Sequence, residues 1–524
     1  MNRILQPLLI SLLLIGTIWF SFPLKSVAVV NANTISPMRP LPHLAQPIAI
    51  NEKTTPSSNV VRLALQHRFN KGKPLPQEQI EIPVDKITQQ PRILLEAIKQ
   101  NFSTHLEKQS KPVQLNTEIE WLLSKEMTQT FGTLPKLSIQ THLDSNGTGA
   151  SQLVIPADQR KITKANKTGQ ANFDWKGLNG LLTFTNQFKA INSQFDFGGL
   201  KITTNQGFSL SWDATTFQGL FDANLRPSQL DLKLPLLKLQ QDDNNALLQT
   251  FIFQFNTEKT QPGLELGNLK LNVNHFGFTD KGSRFSLDNL QLTTDTQEQS
   301  NFVNYGIHTQ IGNLSIPNIF TNSELGMSYL SHLVFRRLDT EALLAIQQTA
   351  RDMGQNNPTI IGIALFGKLM EVAPQLLAQS PEIILTPFLV KTSQGNIEGN
   401  VNFRIDGNKA TSLEPEVLIS ALQGQLKFTL GKVLLEQLLM SGWLTDLKKE
   451  VENSSKDKKI SESVLADLKK QAQTKTKQQL QKYLKQKWLV ETQEGNYKLV
   501  AQLQNGKLIV NGQEQPFPFA PNKH

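Results

Sequence analysis

Residues 250–256, which read TFIFQFN, decide the fold class of this chain. Their three phenylalanines are two residues apart and so share one side of an extended strand, with threonine, glutamine and asparagine among the residues of the other side. The stretch therefore predicts a half-buried antiparallel strand, with one face in a hydrophobic core and the other in water.

The same alternation extends on both sides of this stretch, over residues 135–320. Apolar residues alternate with polar ones at 230–234 and 269–274, and polar turns at 242–245 and 280–282 punctuate the pattern. Many strands open on Gly-Leu or Asn-Leu, and several successive leucines of these pairs lie 20 to 24 residues apart. Because the period is irregular, the pattern indicates a meander with weak internal similarity, not a solenoid.

The predicted fold class is α+β, mainly antiparallel β. It is an elongated, meandering, curved sheet with a helical insertion and C-terminal helices, preceded by one N-terminal transmembrane or signal helix. Composition and periodicity divide the chain into six segments. In chain order these are a membrane anchor or signal segment at 1–30, a Pro-rich linker at 31–84, a helical lead-in at 85–134, the antiparallel β meander at 135–320, a helical segment at 321–380, and β-hairpins with Lys-rich helices at 381–524.

The N-terminus carries the strongest signal for location. After Arg3, a mostly apolar run covers residues 4–24 and ends at Lys25. As a helix this run would span about 30 Å, enough to cross the hydrocarbon core of a bilayer. Residues 30–32, Val-Asn-Ala, resemble the small-x-small pattern of a cleaved signal peptide, so an anchor and a cleaved signal both remain open. The sequence predicts an inner-membrane protein with a periplasmic body, or a periplasmic protein if the segment is cleaved.

A second apolar run covers residues 359–377. It contains six large aliphatic or aromatic residues before position 370, but Lys368, Glu371 and Pro374 interrupt it. We expect it to form a buried or amphipathic helix within the periplasmic body.

Local signals fix further elements of the second half. Asp339 or Thr340 is a good N-cap for an amphipathic helix over residues 338–350. Strands over 382–390 and 397–405 form a predicted hairpin, and Asn505-Gly506 between alternating strands is typical of a two-residue hairpin turn.

Composition narrows the classes of function. The chain of 524 residues has a net charge of +9 and no cysteine, which excludes disulfides, thiolate catalysis and cysteine-based metal sites. The basic residues are not interleaved with aromatics, so no nucleic-acid partner is predicted. The Lys-rich helix at 458–488 has a sparse apolar stripe, which suits either packing on the sheet edge or contact with anionic headgroups.

No motif predicts a catalytic, cofactor-binding or metal site. Residues 144–149 begin like a calcium loop, but the twelfth position is Ile155 where a bidentate Glu is needed, so a polar turn is expected. Asp174-Trp175 precedes Gly177, and we expect the tryptophan to pack inward on a sheet. The eight histidines show no metal-ligand spacing, although the sequence does not exclude clustering over long range.

Several phrases resemble the YdgA-like family, uncharacterised envelope proteins of proteobacteria. The resemblance covers roughly residues 135–517, and its motifs are structural and not chemical. It implies an inner-membrane or periplasmic protein with no assigned activity. A homodimer is one oligomeric state that the resemblance allows. The Pro-rich stretch 31–62 departs from the short tether expected in that family. The phrases are FDWKGL at 173–178, FRRLDTEAL at 335–343, PEII at 381–384, and GNY at 495–497 with GKL at 506–508 and VNG at 510–512.

Three classes of function follow from these observations. The first is a non-enzymatic, periplasm-facing envelope protein that binds lipid, a lipoprotein or an envelope partner. The most specific version of this hypothesis is lipid handling, in which an apolar sheet face binds acyl chains. The second is a structural or oligomerisation module of an envelope complex, and the third is an unrecognised periplasmic enzyme such as a hydrolase.

Overall fold

The structure is a computed structural model that describes most of residues 60–516. Within this range the residues not described are 84–91, 108, 124–127, 129–131, 164–168, 186–189, 223–225, 261, 281–282, 318–323, 354–357 and 455–460. The predicted anchor or signal segment at 1–30 lies outside the described residues. Internal contacts divide the chain into two units, Met1–Phe195 and Asp196–His524.

The described part of the first unit is an antiparallel sheet with one helix. Its strands pair in the order β2-β1-β3-β4-β5-β8, and β6 and β7 form a hairpin. The elements are β1 Val60–Phe69, β2 Glu78–Pro83, α1 Arg92–Glu107, β3 Val113–Trp121, β4 Leu137–Leu143, β5 Gly149–Ile155, β6 Asp158–Thr163, β7 Gln170–Trp175, β8 Leu178–Thr185 and β9 Ala190–Phe197, whose last two residues belong to the second unit.

The core of the first unit lies between α1 and the central strands β1 and β3. Leu65 and Leu115 are fully buried in these strands, and Phe102 and Leu106 of α1 are buried with them. Phe102 and Leu106 are four residues apart, so they lie on the same face of the helix. Burial of these side chains holds α1 against the sheet.

The second unit is a long antiparallel meander with five described helices. Strands β13 to β21 pair consecutively, and β21 pairs next with β23. Six strands, β13 to β18, are 15 to 17 residues long. The elements are β10 Leu200–Thr204, β11 Phe208–Trp212, β12 Thr215–Asp222, β13 Pro227–Gln241, β14 Asn244–Lys259, β15 Glu265–Asp280, β16 Ser283–Gln299, β17 Phe302–Pro317, β18 Glu324–Asp339, α2 Thr340–Asp352, α3 Pro358–Ala378, β19 Glu382–Thr392, β20 Gly395–Ile405, α4 Pro415–Ala421, β21 Leu422–Leu430, α5 Lys432–Ser454, α6 Glu462–Lys485, β22 Val490–Glu491, β23 Tyr497–Gln504, β24 Lys507–Val510 and β25 Gln513–Gln515.

The structure confirms a mostly antiparallel, β-rich fold with C-terminal helices. Residues 250–256 lie in β14, and the hairpin predicted at 382–405 is formed by β19 and β20. Asn505 and Gly506 both have positive φ, 51° and 71°, as a type I′ turn between β23 and β24 requires. The N-cap of α2 is Asp339, whose carboxylate accepts a hydrogen bond from the Ala342 amide.

Three segments differ from their prediction. Residues 60–83 of the predicted linker form β1 and β2, and the predicted helical lead-in contains β3 as well as α1. In β1 the side chains of Leu63, Leu65 and His67 are buried and those of Gln66 and Arg68 are exposed, so the strand carries a period-two pattern that the prediction of a linker overlooked. The predicted helical segment at 321–380 likewise begins with β18, in which apolar residues are half-buried on both faces.

Candidate functional site

An apolar face runs across the long strands of the second unit. Directly opposed residues of antiparallel strands share one face of the sheet. Two adjacent rows of such residues therefore define what we call the apolar sheet face. The first row is Leu234, Phe251, Val273, Leu290, Ile311, Tyr329, Val390, Ile397, Leu430 and Tyr497, and the second is Leu232, Phe253, Leu271, Leu292, Thr309, Ser331, Phe388, Gly399, Phe428 and Leu499.

The apolar sheet face is covered unevenly. At the β21–β23 end, Leu430 and Leu499 pack in a cluster with Leu480 of α6. Across β16 to β20 the apolar members of the two rows are only half-buried. Aromatic rings contact one another there, with Phe388 in edge contact with Tyr329 at 5.8 Å and with Phe428 at 5.7 Å between centroids. The central part of this face therefore remains partly open to solvent.

The helix α3 is held to α2 at its C-terminal end. Asp339, which is buried, caps α2 and also accepts hydrogen bonds from the side chains of Gln375 and Gln379, at 2.7 Å and 3.1 Å. A charged acceptor makes such bonds stronger than those between neutral groups. One carboxylate thus ties the start of α2 to the end of α3.

The opposite side of α3 is apolar and exposed. Ile363 is 69% exposed and Phe366 is 65% exposed, and both lie in the half of the helix that ends before the Lys368–Glu371 ion pair. Large apolar side chains seldom cluster in water on a soluble monomer, and such a patch marks an interaction site. We call this surface the α3 stripe; its members are Ile360, Ile363, Phe366, Leu369 and Met370.

The helix predicted at 359–377 is present, and the α3 stripe excludes the buried form of that prediction but not the amphipathic form. Residues 359–378 form the one described helix whose length and apolar composition would allow it to cross a membrane, and little of it is buried. The interrupting charges that argued for a soluble helix do not break the stripe. Lys368 is half-buried and paired with Glu371, so neither leaves an isolated charge on the helix.

Two histidines and a glutamate meet in the first unit. His67 of β1, Glu78 of β2 and His105 of α1 each offer a ligand atom, and all three atoms lie within 4.8 Å of one another. His105 Nε2 lies 2.8 Å from Glu78 Oε1, and the His67 and His105 rings are 4.6 Å apart between centroids. Among the residues that the structure describes, this His-His-Glu cluster is the group whose side chains could hold a metal ion.

The strand register and the helix repeat build this cluster. His67 lies opposite Thr117 of β3, and its Nδ1 is 2.7 Å from the Thr117 hydroxyl. Its Nε2 is 2.8 Å from Oδ1 of Asn101, which precedes His105 by one helical turn. The Asn101 amide in turn donates to Glu78. Three elements that are separated in sequence are thus joined by one polar network.

Burial and hydrogen bonding shift the pKa of two members of the cluster. Burial of His67 outweighs the hydrogen bond with Asn101 and lowers the pKa of this imidazole. Burial alone would raise the pKa of Glu78, but hydrogen bonds from Asn101 and His105 outweigh it and lower that pKa. The resting cluster therefore combines a neutral imidazole with a carboxylate.

The other residues considered from sequence have structural roles. Asp144 lies in the β4–β5 turn, where the hydroxyl of Thr148 donates to it, so the polar turn is confirmed. Trp175 is buried, as expected. The described part of the Lys-rich helix is α6, whose Leu468 packs against Leu444 of α5, which supports packing within the protein.

These features define a β-rich protein whose described surfaces include an exposed apolar helix stripe and a partly open apolar sheet face. The chain belongs to the DUF945 family, bacterial proteins of unknown function, whose family model matches residues 111–518. This confirms the expected family of uncharacterised bacterial proteins, and the finer YdgA-like resemblance stays a prediction. No curated protein and no solved structure matched the chain in similarity searches.

Proposed function

We propose that this protein is a non-enzymatic envelope protein that binds membrane lipid through the α3 stripe. The observation that carries the proposal is the exposure of five large apolar side chains on one uncharged side of α3. The occupant is the acyl region of a phospholipid bilayer. The helix would lie in the plane of the interface with the stripe toward the acyl chains, as amphipathic interfacial helices do.

The apolar area of the α3 stripe is of a size that suits reversible binding to a membrane. Each of its side chains is about half exposed, so burial in lipid would contribute about 1 kcal/mol per residue, or about 5 kcal/mol in total. An apolar contribution of this size gives weak membrane binding unless a second attachment adds to it. The apolar N-terminal run at 4–24 is the second attachment that we propose, and it would hold the body close to the bilayer.

Charge favours lipid over a protein partner as the occupant. The chain has a net charge of +9, and anionic headgroups attract basic proteins to a membrane surface. The partly open apolar sheet face adds a second surface in the same unit that suits acyl chains. Its width across many strands supports lipid handling as the form that the function takes.

The absence of cysteine allows a direct test of the full chain. An Ile363→Cys variant carries an environment-sensitive fluorophore and is reconstituted into vesicles of phosphatidylethanolamine and phosphatidylglycerol. We expect blue-shifted emission that is quenched by phospholipids with nitroxide-labelled acyl chains. A Glu398→Cys variant, labelled at an exposed polar position of β20, is the matched control and should show neither effect.

The outcomes separate the possible occupants. Quenching at position 363 and not at position 398 supports contact with lipid. A blue shift without quenching would assign the stripe to a protein surface, such as a second copy or a lipoprotein, and would overturn the proposal. Emission typical of water at both positions would also overturn it.

A further inference from the structure

We infer that His67, Glu78 and His105 form a binding site for a divalent first-row metal ion, with Zn²⁺ as the best fit. Two imidazoles and one carboxylate are a ligand set that zinc accepts, and they leave a fourth position for water. Each ligand comes from a different element, β1, β2 or α1, so the ion would fasten the helix to the sheet. This site lies in the first unit and does not rest on the proposed binding of lipid.

The distances between ligand atoms must change by up to about 1.5 Å, and the His105–Glu78 pair must move apart. Ligand atoms around a tetrahedral zinc ion lie about 3.3 Å apart, given metal–ligand distances of about 2.0 to 2.2 Å. The three ligand atoms here already lie within 4.8 Å of one another, and one pair is at 2.8 Å. His105 and Glu78 are partly exposed, which gives the ion a route into the site, whereas His67 is fully buried.

The surrounding groups are placed as outer-sphere partners of a metal site. Ligating histidines donate their second ring N–H to an oxygen that fixes the tautomer and the ring orientation. The Thr117 hydroxyl, 2.7 Å from Nδ1 of His67, is placed to accept such a bond, which leaves Nε2 for the ion. Phe102 packs edge-on against the His67 ring at 5.5 Å and restricts its rotation.

Binding through Nε2 requires a change of tautomer in both rings. In the resting network His67 Nε2 donates to Asn101, and His105 Nε2 donates to Glu78. With the ion bound, each ring would carry its proton on Nδ1. The Glu78 carboxylate would lose its hydrogen bond from His105 and bind the metal instead.

The test is metal binding by the full chain, purified without a histidine tag and stripped with a chelator. Calorimetric titration with Zn²⁺ should show one saturable site per chain, and Co²⁺ should give the visible absorption of a four-coordinate ion. His105→Gln should weaken binding by more than about 100-fold, beyond the loss caused by outer-sphere changes. Thr117→Val, which removes a positioning residue, should weaken it by about 10-fold.

His142→Gln is the matched control. His142 is an exposed histidine whose Nε2 lies 2.9 Å from Asp144, so it has a carboxylate partner and lacks the third ligand of the cluster. This variant should bind Zn²⁺ like the parent chain. Circular dichroism checks that His105→Gln is folded, and Glu78→Gln provides a second ligand variant if it is not. Absence of saturable binding, or equal binding by the parent and ligand variants, would overturn the inference.

Discussion

Replacement of Asp339 by alanine should open the α2–α3 pair. The carboxylate accepts three hydrogen bonds, from the Ala342 amide and from the side chains of Gln375 and Gln379. Loss of the helix cap costs about 1 kcal/mol. Each bond from glutamine to a charged acceptor contributes about 1.5 kcal/mol, but both side chains are partly exposed and regain water. We therefore expect a net loss of about 2 to 3 kcal/mol.

Hydrogen exchange is the suitable assay because it reports opening of one segment without assuming that the whole chain unfolds in a single step. A loss of about 2 kcal/mol predicts exchange about 30-fold faster for amides of α2. Ser461→Ala is the control, because Ser461 is exposed and caps α6 through one longer bond of 3.4 Å. Equal, small effects of the two substitutions on their own helices would refute the assigned role of Asp339.

Three further predictions concern the second unit. Hydrogen bonding with His275 lowers the pKa of Asp288. The contribution of Asp288 to stability is therefore present above the unfolded pKa of about 3.9 and is lost as pH falls through the lower folded value. Asp288→Asn should reduce the loss of stability at acid pH, measured by urea unfolding at several pH values. Gly399→Ala would place a Cβ in steric conflict with the ring of Phe428, and a loss of about 1 to 3 kcal/mol is expected in urea unfolding. Leu444→Ala, at a site that is 1% exposed, should cost about 3 kcal/mol by the same measurement, and a loss below about 1 kcal/mol would contradict the described packing.

Local patterns predicted the elements that depend on local chemistry. The phenylalanines of 250–256 identified a strand because one face is apolar and the other polar, and Asn505-Gly506 identified a turn because few other pairs accept two positive φ values. The helix cap was placed at Asp339 or Thr340 from sequence, and the structure shows that Asp339 is the cap. Its bonds to α3 could not be predicted, because they join residues 36 and 40 positions apart.

The α3 stripe and the His-His-Glu cluster could not be predicted from sequence, because both depend on which distant residues the fold places beside them. An apolar helix such as α3 has the same sequence pattern whether a sheet covers it or water surrounds it, so exposure of Ile363 could not be predicted. The His-His-Glu cluster depends on the β1–β2 and β1–β3 registers and on the docking of α1. Residues 67, 78 and 105 have no metal-ligand spacing, and only the fold brings them together.

The region matched by the family model contains the proposed lipid-binding surfaces but not the His-His-Glu cluster. Residues 111–518 include α3 and the apolar sheet face, whereas His67, Glu78 and His105 all precede the matched region. If lipid contact is the shared property of the family, aligned relatives should keep large apolar residues at the positions of Ile363 and Phe366. The metal ligands carry no such requirement, because a site that fastens α1 to the sheet serves only chains that have this N-terminal portion. An alignment that shows charged residues throughout the α3 stripe would therefore count against lipid binding and would leave the metal site untouched.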